Sequence, residues 1–351
     1  MNPTSSAGSH GARLALVVGI LLATASAPAA TNSPAGYLRV DESTPNIIRL
    51  QTAARRMVPA NGNGPVIWLG AVTHIGSSNY FRGYEELLRT NDQVFFEAVL
   101  PEKEGGWSGP EFHRLRGLSA PGEESESNLQ TDLARALGLA FQLESVHYGR
   151  TNFINSDLSM EAVQELMLEG MNIQPAEDQP EPTPEAVPAD DGFSQLMAIM
   201  QGRGFIGGLI KFGVQMIAAN PRMQATTKLT FIEVLGRLKG DLAKAQALPP
   251  ELSNLLNVLI HKRNQKVTRD LRKALKQARP PASIAVFYGA GHMADLETRV
   301  RRRLKYLPAE DVWLTAFEVD LASHGIPRWE REMIRFMTES QMKMLIPAEN
   351  E

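Results

Sequence analysis

Short apolar runs alternate with amphipathic stretches in this chain, in two blocks that lie far apart. The first block reads VIWLGAV (66–72), SNYFRGYEELLRT (78–90) and QVFFEAVL (93–100). VIWLGAV is β-branched and follows the turn cluster NGNGP, the mark of a buried strand. In the next stretch Tyr80, Tyr84, Leu87 and Leu88 recur at helical spacing, with Ser78 or Asn79 as cap. QVFFEAVL is strand-like again. Strand, helix and strand in so short a span predict a βαβ unit, hence a parallel sheet with a right-handed crossover. The second block repeats the logic: SIAVFY (283–288) as a strand, GAG as a tight turn, HMADLETRVRRRL as a helix and DVWLTAFEV (311–319) as a closing strand.

The intervening sequence reads as mostly helical. LQTDLARALGLAFQ (129–142) is amphipathic, and NSDLSMEAVQELMLEG (155–170) opens on a capping pattern with Ser159 or Asp157 ahead of Glu161 and Glu165. An acidic, proline-rich stretch without apolar periodicity (172–191) reads as a solvated linker. FSQLMAIM, FIGGLIKFGVQMIAA and LTFIEVLGRL follow as helices, then a long basic-faced one at 255–278 that stops before Pro280 and Pro281. Lys211 and the Asn220-Pro221 stop make FIGGLIKFGVQMIAA a core or groove-covering helix rather than a bilayer span. Residues 43–60 read as irregular or partly helical. The expected fold is α/β: a mainly parallel central sheet flanked by helices. An N-terminal α/β half (30–154) and a C-terminal part (280–351) complete the sheet around a helical insertion (155–279).

At the N-terminus Arg13 precedes LALVVGILLATA, and Ala-x-Ala sites follow at 23–25 and 27–29. That is the pattern of a secretory signal peptide over 1–29. The expected protein is therefore exported, periplasmic or secreted, with an uncleaved anchor as the lesser alternative and no membrane span after cleavage. There is no cysteine, so no disulfide and no lipoprotein thiol. A net charge of -3 offers no electrostatic case for nucleic acid.

Polar residues at the ends of the apolar runs carry the candidate chemistry. In open parallel sheets functional groups collect beyond the carboxyl ends of the strands. His74 lies past the first strand, Glu97 at the end of the second and His292 past the late one, with Gly70, Gly289 and Gly291 permitting tight turns and close ligand approach. Two imidazoles and a carboxylate suit a divalent metal such as Zn²⁺, Mn²⁺ or Co²⁺ that activates water. They equally suit direct activation of water by His with Glu as orienting carboxylate. Tyr80 is a candidate for substrate stacking on a helix face that reads first as core. Asp157 reads as a helix cap, with reach into the site as the lesser alternative. His113, His147, His261 and His324 have no supporting pattern. Gly-x-Ser-x-Gly, Walker, His-Glu-x-x-His and Cys-x-x-Cys motifs are all absent.

The stretches VIWLGAVTHIGSSNYFRGYEELLRTNDQVFFEAVL and SIAVFYGAGHMADLETRV resemble the first and last signature blocks of the TraB/GumN (PrgY, TIKI) family, and HKRNQKVTRDLRKAL resembles its Arg-Asn helix. The family is related to the erythromycin esterase and haem-binding ChaN folds, and its TIKI branch acts as metal-dependent proteases. Gly289-Ala290-Gly291-His292 matches the family's Gly-x-x-His motif intact, whereas Ala71-Val72-Thr73-His74 has Ala at the Gly position, with Gly70 one place earlier. Glu97 matches the acidic residue. The resemblance implies a hydrolase for a peptide or related amide or ester bond, with His74, Glu97 and His292 binding a metal or activating water. Arg263 would hold a substrate carboxylate or oxyanion, and Asn264 would fix it or a water. The competing expectation is a non-catalytic module that sequesters a peptide, haem or another small ligand.

Overall fold

The structure, a computed structural model, describes residues 36–117, 129–170, 213–237, 253 and 255–345. The expected signal peptide and the 172–191 linker lie outside these residues, as does FSQLMAIM. In chain order the first elements are β1 (Leu38–Thr44), β2 (Ile47–Pro59), β3 (Val66–Val72), β4 (Ile75–Gly76), α1 (Ser78–Arg89) and β5 (Gln93–Phe96). Then come α2 (Gly109–Gly117), α3 (Leu129–Ala136), β6 (Ala140–Phe141), α4 (Gln142–Ser145), β7 (Phe153–Asn155) and α5 (Met160–Gly170). The last are α6 (Pro221–Leu235), α7 (Arg263–Leu275), β8 (Ser283–Gly289), α8 (Met293–Arg299), β9 (Tyr306–Asp320) and α9 (Arg328–Leu345).

The fold is α/β, as the two blocks predict. β3, β8, β5 and β7 lie side by side and pair in parallel. β2 is antiparallel to β1, β3 and β9, so it alone runs against the other six strands of the main sheet. One edge of β2 carries β9 along its whole length; the other carries β1 and then β3. Inserting β8 between β3 and β5 is what brings the two distant sequence blocks into register, Val72 opposite Gly289 and Phe96 opposite Phe287.

Alternation along β8 shows how the sheet is covered on both faces. Ala285 and Phe287 face a cluster that includes Tyr80, Phe81, Tyr84 and Leu88 of α1 with Leu229 and Ile232 of α6. Ile284, Val286 and Tyr288 face Val267 and Leu271 of α7 and Met293 and Leu296 of α8. Both faces are buried, which is why these strands read as continuous apolar runs. α1 is capped by Ser77, whose side chain accepts from the Tyr80 amide, rather than by Ser78 or Asn79.

Three expectations are corrected. Residues 43–60 are not irregular or helical; they supply the end of β1 and all of β2. In β2 burial alternates from Ile47 to Thr52, but Thr52, Ala53, Ala54 and Arg55 are buried in succession, because elements cover both faces, so the period of 2 breaks off midway. QVFFEAVL is a strand only to Phe96, which leaves Glu97 just past its end. The amphipathic stretch 129–142 stops as a helix at Ala136, where Gly138 takes a left-handed backbone (φ 63°) and the chain turns into β6. No helix among the described residues is long and apolar enough to cross a membrane.

Candidate functional site

β3, β5 and β8 end at one edge of the sheet, and their polar residues meet there. A methyl group on Gly289 would stand 3.3 Å from Glu97 Oε2, 3.7 Å from His74 Nε2 and 3.8 Å from His292 Cδ2. His74 and Glu97 from the first block and His292 from the second, about two hundred residues later, therefore surround one point. With no side chain Gly289 lets these three groups approach closely, and its amide donates to Glu97 Oε2 at 2.7 Å.

Each histidine is held from behind by a side-chain amide. Asn264, on the first turn of α7, donates through Nδ2 to the His292 carbonyl (3.0 Å) and to Asp295 Oδ2 (2.9 Å). Two acceptors on Nδ2 fix the amide's orientation, so Oδ1 faces His292 Nδ1 at 2.8 Å and takes its proton. His292 Nε2 then carries the free lone pair and lies 3.4 Å from Glu97 Oε1. At His74 the partner is Gln142, whose Oε1 is 2.9 Å from Nδ1 and whose Nε2 donates to the Tyr148 hydroxyl at 2.8 Å. The small β4–β6 ladder makes this contact: the Gln142 amide donates to the His74 carbonyl at 2.8 Å, which sets the two side chains together. Both imidazoles thus turn Nε2 toward the crevice.

Glu97 is held by a guanidinium. Arg263 NH2 donates to Glu97 Oε1 at 2.6 Å and to Asp157 Oδ2 at 2.6 Å, Nε donates to Asp157 Oδ1 at 2.8 Å, and NH1 donates to the Leu259 carbonyl at 3.2 Å. The Asp157 side chain is wholly buried. Burial alone would raise the Glu97 pKa, but the Arg263 guanidinium, followed by His292 and His74, outweighs it and holds the carboxyl well below its usual range. Arg263 is raised well above its ordinary value: burial opposes its charge, and Asp157 and Glu97 more than compensate. The chain reaches Arg263 through a wide π-type turn, Asn257–Lys262, a distortion often found at functional sites.

Not every candidate lies in the crevice. Tyr80 is buried in the core, where its hydroxyl accepts from the Thr73 amide at 3.0 Å and meets Thr52 Oγ1 at 3.0 Å, so it braces the residue before His74 instead of stacking a substrate. Gly70 is packed under Tyr84 and Phe287 in the middle of β3. Gly291 is buried in the turn Ala290–His292 that carries the histidine. Four of the five Arg263 N–H groups already donate to Glu97, Asp157 and the Leu259 carbonyl. Asn264 orients His292. Asp157 is not the cap of α5, since Ser159 Oγ accepts from the Ala162 amide; it is the counter-ion of Arg263. Gln142 and Tyr148 had no signal in the sequence, because their relation to His74 exists only through β4 and β6.

Two imidazole Nε2 atoms are donors that a Zn²⁺, Mn²⁺ or Co²⁺ ion takes readily. Both Glu97 oxygens already accept a hydrogen bond, one from Arg263 and the other from the Gly289 amide, so Glu97 would ligate only through the lone pairs those bonds leave. Among the described residues no group of three or more His, Cys, Asp or Glu is arranged to hold a metal ion. No protein-family model matches the chain, and no curated protein matches it.

Proposed function

We propose that this crevice hydrolyses a peptide bond or a related amide or ester bond, in an exported protein of the TraB/GumN type. The observation that carries the reading is the convergence of His74, Glu97 and His292 on one point beside Gly289. Both histidines donate Nδ1–H to an amide oxygen and keep Nε2 free, the tautomer a general base needs. His74, which has no carboxylate within ion-pair distance among the described residues, takes the proton of the attacking water on Nε2. The same proton then passes from His74 Nε2 to the leaving nitrogen or oxygen, which returns His74 to its starting state, while His292, its free Nε2 3.4 Å from Glu97 Oε1, orients the attacking water. Asp157 and Arg263 act through Glu97: they fix where its charge sits. A divalent metal bound by His74 and His292 would supply Lewis acidity at the same place, and it would compete with Arg263 for Glu97.

The test is a peptidase and esterase panel on the purified protein, with elemental analysis and parallel assays in chelator. Hydrolysis lost in both His74→Ala and His292→Ala, with thermal stability retained, supports the reading. Activity that persists in either variant refutes it. Activity abolished by chelator and restored by Zn²⁺, Mn²⁺ or Co²⁺ assigns the water to a metal, and activity indifferent to chelator assigns it to His74.

A further inference from the structure

The last helix carries an apolar stripe on its outer side. On α9 Trp329 is 66% exposed, Met333 46%, Phe336 71% and Met337 53%, the largest concentration of exposed large hydrophobic side chains among the described residues. Trp329, Met333, Phe336 and the small Ser340 follow a four-three-four spacing, which lines one side of a helix as in a coiled-coil seam. The opposite side of α9 is fixed. Ile334 and Thr338 are buried, and ion pairs tie the helix down: Arg331 to Glu42 and Glu233, Arg222 to Glu330 at 2.6 Å, and Arg237 to Glu339 at 2.9 Å. The stripe is therefore presented on a rigid support.

We propose that this face pairs with the same face of a second copy, making a two-fold dimer through antiparallel α9 helices. A two-fold interface uses one patch twice, so it must be self-complementary. A seam of large side chains with a small residue at its end meets that need. The four exposed side chains leave on the order of 500 Å² of apolar surface. Two copies face to face then bury about 1,000 Å², the lower bound for a specific interface. Charge selects this occupant over an anionic lipid surface. Arg328, Glu332, Arg335 and Glu339 flank the stripe with both signs, Arg335 and Glu339 being paired within the chain, so the flank carries no excess of positive charge. A helix that lies in a membrane interface carries a polar face dominated by Lys and Arg.

Sedimentation velocity on the full chain across a concentration series tests the proposal, alongside Trp329→Glu/Phe336→Glu and the milder Trp329→Ser/Phe336→Ser. The wild type is expected to sediment with twice the mass of one chain. Both double variants are expected to fall to a single chain with circular dichroism and melting temperature unchanged. A wild type that stays monomeric overturns the proposal, as does a dimer that survives either double variant. Monomeric wild type that co-sediments with phosphatidylethanolamine–phosphatidylglycerol vesicles, and loses this in the Ser variant, assigns the stripe to lipid instead.

Discussion

Replacing Asp157 by Asn removes one charge and almost no volume, which makes it a clean probe of how the site is held. The Arg263 side chain is 9% exposed and donates twice to Asp157, at 2.8 and 2.6 Å, with Glu97 as its second anion. Deleting one partner of a buried ion pair costs about 3–5 kcal/mol, because the remaining charge loses its compensation while staying out of water. Asn also turns an N–H donor toward a guanidinium that can only donate. At about 2 °C per kcal/mol for a domain of this size, the melting temperature should fall by roughly 6–10 °C. Thermal and denaturant unfolding of wild type, Asp157→Asn, Arg263→Met and the double variant measure it. The double variant should cost at least ~1 kcal/mol less than the two single losses added together, since the second change removes a charge already left stranded. A fall below about 2 °C in Asp157→Asn, or strict additivity, would show that the pair contributes little and that Glu97 is positioned by something else.

Two further outcomes follow from the same geometry. Glu97 has a folded-state pKa depressed below its unfolded value, so its ionisation stabilises the fold fully above the unfolded carboxyl range near 4.3. That contribution is lost as pH falls through the folded value. The stability gap between wild type and Glu97→Gln, read from denaturant titrations, should be widest near neutrality and shrink on acidification; a gap that is flat or grows in acid contradicts the assignment. Asn264→Leu removes the acceptor of His292 Nδ1 and the donor to the His292 carbonyl. A loss of about 1–3 kcal/mol is expected, together with imidazole ¹⁵N shifts that move from one tautomer to a mixture. Unchanged ¹⁵N shifts would mean that Asn264 does not set the ring.

Much of this arrangement is legible from residue order alone, and the reason is local physics. Fully covered parallel strands must be apolar throughout, so VIWLGAV and SIAVFY announce themselves, and a strand that ends in a parallel sheet delivers its next polar residue to the sheet's edge. His74, Glu97 and His292 are identifiable on those grounds without knowing where they lie. The α/β class follows likewise from the alternation of element types.

Tertiary structure decided the rest. β2 was missed because covering both faces of its second half, with Arg55 buried among ion partners, cuts short the alternation that Ile47–Gln51 begins. Placing β8 between β3 and β5 is a choice of strand order, which no local pattern encodes, and it alone turns three separate strand ends into one crevice. The roles of Gln142, Asp157 and Arg263 depend on contacts across 68, 106 and 166 residues of chain. In sequence an arginine among lysines and an aspartate before a helix look like surface and cap. Only packing, which takes both out of water and leaves each as the other's counter-charge, makes them the support of Glu97.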